Sequence, residues 1–209
     1  MKIAIIGASG FIGHEILNEA LQRGHQVTAI VRNPEKITVS NDNLIVKKAD
    51  VTDANAVAEA ISGTDAVISA YKAVDTDTYV QATKATIAGL KQAGIKRFIL
   101  VSGAASLEVA PGHLLLDSPH FPAEWKPIAE ATRAGLLVLR QENDLDWTAV
   151  IPAAMIEPGP RTGKFRVGTT SLVTDEAGNS KISVADYAVA LVDELETPKH
   201  VKQQFTVAY

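Results

Sequence analysis

The stretch Lys2–Gly13, K-I-A-I-I-G-A-S-G-F-I-G, decides the fold. Ile3–Ile6 is a short apolar run rich in β-branched residues, the pattern of a strand buried on both faces. Gly7, Gly10 and Gly13 follow at three-residue steps. Beyond them Ile12, Ile16, Leu17, Ala20 and Leu21 recur at helical spacing, and Gly24 is placed to end the helix. Strand, glycine turn and helix, in that order, are the setting a dinucleotide requires. A pyrophosphate sits against bare N–H groups at a helix start, where the dipole supplies roughly half a positive charge. A side chain at Gly7 or Gly10 would hold the phosphates off, and Gly13 lets the helix lie close on the strand. The alternative is an ordinary glycine-rich turn, which the flanking strand and helix speak against.

Four further strands follow at regular spacing. Gln26–Val31 is the second and runs into Arg32-Asn33-Pro34. An acid often accepts the ribose hydroxyls of NAD at this place, about twenty residues past the glycines. Arg32 stands there instead, and a guanidinium suits a 2′-phosphate, so the chain leans towards NADP. The competing reading is a solvated arginine at a strand end. His25, just before the strand, reads as a loop residue. The third strand, Leu44–Val46, leads to Asp50 and Asp53. Asp53 can cap a helix carrying Val57, Ala60 and Ile61. Asp50 has two readings of equal weight, a turn aspartate or an acceptor for the adenine amine.

The fourth strand, Asp65–Ser69, ends at Ala70-Tyr71, where small residues let backbone approach a ligand. A helix over 78–93 precedes the fifth strand, Lys96–Val101, which runs into Ser102-Gly103-Ala104-Ala105-Ser106. Five strand–helix units with right-handed crossovers give a doubly wound parallel α/β sheet with helices on both faces. Its ligands lie outside the carboxyl ends of the strands, where Gly7 to Gly13, Arg32, Asp50, Ala70 and Ser102 converge.

The second half is less regular. Prolines and glycines interrupt residues 104–124, which carry His113 and His120. A stretch this long without periodicity is usually functional. A helix over 125–142 and a strand, Trp147–Ile151, come next. A second irregular stretch spans 152–168, with short strands expected at Phe165–Val167 and Ser171–Val173. The two irregular stretches are expected to wall a substrate pocket as a small C-terminal lobe of one domain, 1–209. Ser183-Val184-Ala185-Asp186 reads as a capping box opening the last helix. Asp193, Glu194 and Glu196 read as its solvated face, and Gln204–Val207 as a final strand.

Composition sets bounds. The 209 residues are 46% hydrophobic, enough for a sizeable core, and the formal net charge is −4 with no basic run, against a nucleic-acid surface. Cysteine is absent, which removes disulfides, thiol catalysis and cysteine-bound metals, and no metal site is expected. No signal peptide or membrane-length apolar run appears, so a soluble, cytoplasmic monomer or homodimer is expected.

Taken together, G-A-S-G-F-I-G, V-R-N-P, A-D-V-T-D, D-W-T-A-V-I-P-A, R-T-G-K-F-R-V-G and S-V-A-D-Y-A-V-A-L-V-D-E-L-E resemble the atypical short-chain dehydrogenase/reductases. The likeness is to the NAD(P)H-binding branch that includes biliverdin reductase B-like and NmrA-like proteins. It implies a Rossmann domain using NADP(H) or NAD(H), with Gly7, Ser9, Gly10, Phe11, Ile12, Arg32, Asp50, Ala70 and Ser102 lining the cofactor groove. The chain also departs from the superfamily. Its proton-donating pair is Tyr-x-x-x-Lys, and none of Tyr71, Tyr79, Tyr187 and Tyr209 has a lysine four residues on. Ser102 and Ser106 can orient a substrate carbonyl but are poor acids. His113 or His120 could protonate it, though each is more simply a loop histidine. Hydride transfer to a planar flavin-, quinone- or tetrapyrrole-like acceptor, with a proton from water, fits best. A regulator that senses NADP(H) without turnover is the alternative, and an epimerase or dehydratase would normally need the tyrosine pair.

Overall fold

The computed structural model describes residues 1–209. Its first apolar run is β1 (Lys2–Ile6), followed by α1 (Phe11–Gln22) and β2 (Gln26–Val31). Then come β3 (Leu44–Lys48), α2 (Ala54–Ile61), β4 (Ala66–Ser69), α3 (Thr76–Ala93) and β5 (Arg97–Val101). The second half holds β6 (Glu108–Ala110), β7 (His113–Leu114), α4 (Lys126–Arg140), β8 (Asp146–Pro152), β9 (Met155–Glu157), β10 (Arg166–Gly168), β11 (Lys181–Ser183), α5 (Val184–Glu196) and β12 (Gln203–Ala208). No helix is long and apolar enough to cross a membrane.

The main sheet runs β3–β2–β1–β4–β5–β8–β12–β10. Every pairing in it is parallel except that of β10, which lies antiparallel on β12. Alternation along β1 divides the core. Ile3 and Ile5 face α1 and α5, packing with Ile16, Leu17 and Leu191. Ala4 and Ile6 face the other side, with Val57 of α2, Leu90 of α3 and Leu136 of α4. This is a doubly wound Rossmann-like sheet, and its strand order reverses between β1 and β4.

Local chemistry sets most helix ends. Asp53 accepts hydrogen bonds from the Asn55 and Ala56 N–H groups at the start of α2. Asp75 accepts from the Thr78 N–H at 2.7 Å, so α3 begins slightly earlier than its apolar periodicity indicates. Only the serine half of the Ser183 capping box forms: Ser183 Oγ accepts from the Asp186 N–H at 3.0 Å. The Asp186 carboxylate instead accepts from Thr162 and Gly163 N–H, the Thr162 hydroxyl and the Tyr209 hydroxyl.

Several expectations need correction. Between β2 and β3 there is no α-helix, only a 3-10 turn, Pro34–Lys36, followed by extended chain. The I-T-V-S-N-D-N that follows is β-branched and polar, and its apolar residues Ile37 and Val39 pack on the core at two-residue spacing, not as a helical stripe. Residues 104–124 hold the β6–β7 hairpin and 3-10 turns at Ala104–Ser106, Leu115–Asp117 and Ala123–Trp125. In place of a strand at Ser171–Val173, a single bridge joins Ser171 to Glu108.

Of the acids of α5, Asp193 and Glu196 are exposed as expected, but Glu194 is not part of a solvated face. Glu194 is buried, accepting from Arg97, the Thr148 hydroxyl, the Lys199 and His200 N–H groups, and pairing with His200 Nδ1 at 2.8 Å. Burial pushes its carboxyl pKa up, but these donors outweigh that and hold it below the usual range. Asp193 and Glu196 both bind Arg23, and Glu196 also binds His25, which is buried. These partners come from β5, α1 and the turn before β2, so linear periodicity could not reveal them. Removing one partner of a buried pair costs about 3–5 kcal/mol. Urea denaturation of Glu194→Ala is expected to show a loss of that order; a loss below about 1 kcal/mol would restore the solvated reading.

Candidate functional site

The centre of the site is the crowding of α1 against the ends of β1 and β4. Gly7 has φ +79°, and a β-carbon built there would lie 2.7 Å from the Ala70 carbonyl oxygen. A β-carbon at Gly13 would penetrate the Gly7 carbonyl. Both glycines are therefore demanded by the fold itself. Gly10 differs. Its backbone is extended (φ −81°, ψ 168°), and a β-carbon there would touch only the Gly7 carbonyl oxygen, at 3.4 Å. The fold tolerates a side chain at Gly10; only a ligand pressed against the helix start would not.

That helix start is open. Asp53, Asp75 and Ser183 cap α2, α3 and α5, whereas α1 has no side-chain cap. Its first-turn N–H groups keep the partial positive charge that attracts phosphate. Beside it lies a cleft of about 450 Å³. Gly7, Ser9, Gly10, Arg32 and Ala70 line it, and sequence reading missed Asn33, Lys36, Tyr71 and Lys72. Lys36 closes the Pro34 turn and Lys72 follows β4, so both lie beyond the strand-end positions where ligand contacts are usually sought. Arg32, Lys36 and Lys72 all lie outside the ion pairs of the chain. Open helix start, glycine floor and unpaired cations together fit a dinucleotide phosphate chain.

The other named residues are placed as follows. Asp50 makes a turn, its Oδ1 accepting from the Thr52 N–H at 2.9 Å and the Thr52 hydroxyl at 2.7 Å. Those bonds, with the Arg32 charge beyond them, hold its carboxyl below the usual range. Its neighbours Ala49 and Val51, not Asp50 itself, line the cleft. Phe11 is 51% exposed at the start of α1, and Ile12 packs on the core. On the β5 side, Ser102 and Ser106 are 4% and 7% exposed, and neither hydroxyl has a hydrogen-bond partner. Unpaired buried hydroxyls are costly, yet these two have no partner within the chain, and neither serine lines the cleft. His113 and His120 are exposed and outside the cleft.

The first irregular stretch meets the chain just past the second, at residues 170–172. Glu108 N–H donates to the Thr170 carbonyl at 2.9 Å and Leu172 N–H to the Glu108 carbonyl at 2.8 Å. Further along, Arg161 pairs with Glu19 of α1 at 2.7 Å, and Asp186 of α5 holds Thr162 and Gly163. The middle of the second stretch is therefore strapped to these helices.

Gly10 and Gly13 should respond oppositely to substitution. Gly13→Ala is expected to lower stability by about 1–3 kcal/mol or more. Gly10→Val is expected to melt close to the wild type while losing nucleotide binding. Thermal melts paired with NADPH titration check both; a Gly10→Val protein that binds normally would contradict this reading of the cleft.

Comparison with known proteins agrees with this geometry. Residues 7–197 match the NAD(P)H-binding family. The uncharacterized protein YwnB of Bacillus subtilis is 43% identical over 210 residues, covering 99% of this chain and 98% of YwnB. A structure from Bacteroides thetaiotaomicron, described as a proposed epimerase, superposes with TM-score 0.95 at 48% identity, covering 100% of this chain and 96% of that one. Another, from Streptococcus pneumoniae and described as a proposed NADH-flavin reductase, has TM-score 0.85 at 39% identity, covering 100% and 99%. The chain therefore belongs to the NAD(P)H-binding family, on a Rossmann-like fold.

Proposed function

We propose that this protein is an NADPH-preferring reductase that delivers hydride to a small planar acceptor of the flavin, quinone or tetrapyrrole class. The observation that carries the proposal is the trio of unpaired cations, Arg32, Lys36 and Lys72, around the open start of α1. Most lysines and arginines of this chain lie outside its ion pairs, so the weight falls on three of them meeting at one cleft beside an uncapped helix start, an arrangement suited to a polyanion. The pyrophosphate takes the α1 N–H groups, and Arg32 with Lys36 takes the 2′-phosphate at the end of β2. A bound dihydronicotinamide supplies the hydride. The chain's own work is to position it: Gly10 admits the phosphates, Ala70 lets the nucleotide lie close on β4, and the Ser102 and Ser106 hydroxyls orient the acceptor.

The Streptococcus pneumoniae relative supports the flavin class, though its description specifies NADH; the preference for NADPH rests on this chain's cations. An epimerase reaction, as the Bacteroides thetaiotaomicron relative is described, has no Tyr-x-x-x-Lys pair here to move its protons. The same absence favours the second reading, a sensor of NADP(H) without turnover. We place either role in the cytoplasm, where reduced nicotinamide is supplied.

Hydrogen bonds to charged groups contribute about 1.5–3 kcal/mol, or roughly 10- to 150-fold in affinity. Arg32→Ala and Lys36→Ala are each expected to weaken NADPH by at least about tenfold and NADH by much less. Equal losses for both cofactors would show that the 2′-phosphate lies elsewhere. Oxidation of bound NADPH against flavins, quinones and biliverdin tests the reaction: turnover supports the reductase, and tight binding with no turnover on any acceptor assigns the sensor.

A further inference from the structure

We infer that residues 108–125 form a lid, shut in this structure over the Ser106 hydroxyl, and that the acceptor enters only when the lid lifts. The inference rests on the reductase reading and deepens it: the stretch after β5 is the moving part, and the stretch after β8 is a fixed wall.

Ser106 is the last residue of the 3-10 turn that follows β5, and Ala105, Ser106 and Leu107 are all buried. The Ser106 Oγ is sealed from solvent and has no partner, which costs free energy unless another state of the molecule satisfies it. Both α4 and the 3-10 turn Leu115–Asp117 pack on it. The first of these covers is anchored in the core through Leu136 and Leu139. The second is not, so it is the cover that can be removed.

The two irregular stretches differ in what holds them. No residue from Glu108 to Ile128 is buried, and none from Ala154 to Gly168. The second stretch is nonetheless tied down. Ile156 and Phe165 pack on the core. Asp186, fully buried, accepts the Thr162 and Gly163 N–H groups, each at 2.7 Å. Arg161 gives the buried Glu19 two hydrogen bonds, at 2.7 and 2.8 Å. The first stretch has no such ties. None of its apolar side chains, from Val109 to Trp125, packs on either core cluster, and none of its charged groups forms an ion pair. Its side-chain hydrogen bond, from the His120 N–H to Ser118 Oγ, is internal. What joins it to its surroundings is backbone. Glu108 N–H donates to the Thr170 carbonyl, Leu172 N–H to the Glu108 carbonyl, and Leu115 N–H to the Leu107 carbonyl. A segment with so few buried apolar contacts opens at low free-energy cost.

Lifting breaks the seam between Glu108 and residues 170–172 and takes Leu115 off Leu107. Ser106 is then uncovered beyond the carboxyl end of β5, the edge where ligands of such a sheet lie. The lid also carries Leu114, Leu115, Leu116 and Phe121, all half-buried. Closing again lays these apolar side chains on the ring of a planar acceptor and shuts water out of the hydride transfer.

The chain has no cysteine, so one introduced pair has no competitor. Glu108 and Ser171 are bridge partners across the seam, and Glu108→Cys with Ser171→Cys brings two thiols within disulfide reach. With the disulfide formed, the Kd for NADPH should stay within about twofold, while turnover of an acceptor that the wild type reduces should fall at least about tenfold. Reducing the disulfide and removing the reductant should restore it. Hydrogen exchange of the wild type, read by NMR at single amides without acceptor, should be about 100-fold or more faster at Glu108 and Leu115 than at Thr162 and Gly163. A locked protein that turns over like its reduced form overturns the lid and leaves the reductase standing. Exchange at Glu108 and Leu115 as slow as at Thr162 and Gly163 overturns it too, with no acceptor needed. A wild type that binds NADPH yet reduces nothing overturns the reductase reading and the acceptor gate with it.

Discussion

There is no room for a side chain between the start of α1 and the ends of β1 and β4, and the rest of the site depends on that fact. At Gly7 the obstacle is the Ala70 carbonyl, at Gly13 the Gly7 carbonyl. The contact brings the helix axis down onto the strand end with its first-turn amides exposed and uncapped. Because the reversal of strand order falls at the same place, the open amides face the crevice between the two halves of the sheet. Packing and anion binding are consequences of one close approach.

Charge is sorted along the sheet. At its amino edge, Glu194 ties Arg97 at the start of β5 to His200. Asp193 and Glu196 of α5 hold Arg23, and Glu19 of α1 holds both Arg23 and Arg161. Taking such groups out of water is expensive, so these pairs order the structure more than they stabilise it. At the carboxyl edge the pattern inverts, with Arg32, Lys36 and Lys72 left without partners. Unpaired cations cost little in an exposed cleft, and they draw an anionic ligand towards the uncapped start of α1.

The sheet was largely legible because buried parallel strands are dense apolar runs, as in I-A-I-I and F-I-L-V, and because glycine marks where helices stop. Asp53 announced the start of α2 in the same way. What escaped depends on contacts made across long separations. Glu194 looks solvated in the sequence because its partner Arg97 is on another element, and His25 is a loop residue as expected, with its pairing to Glu196 invisible in the sequence. Within the site, the glycines and Arg32 stood out by spacing. Lys36 and Lys72 are ordinary surface lysines until the fold brings them to one cleft.

The central claim is that the bare start of α1 is a phosphate site. It is tested most directly by following the backbone amide resonances of the protein as NADPH is added. The account expects large shifts at Ser9–Gly13 and at Arg32, Lys36 and Lys72, with the amino edge around Glu194 and His200 unmoved. Saturation binding that leaves Ser9–Gly13 unshifted, or no binding at all, would contradict it.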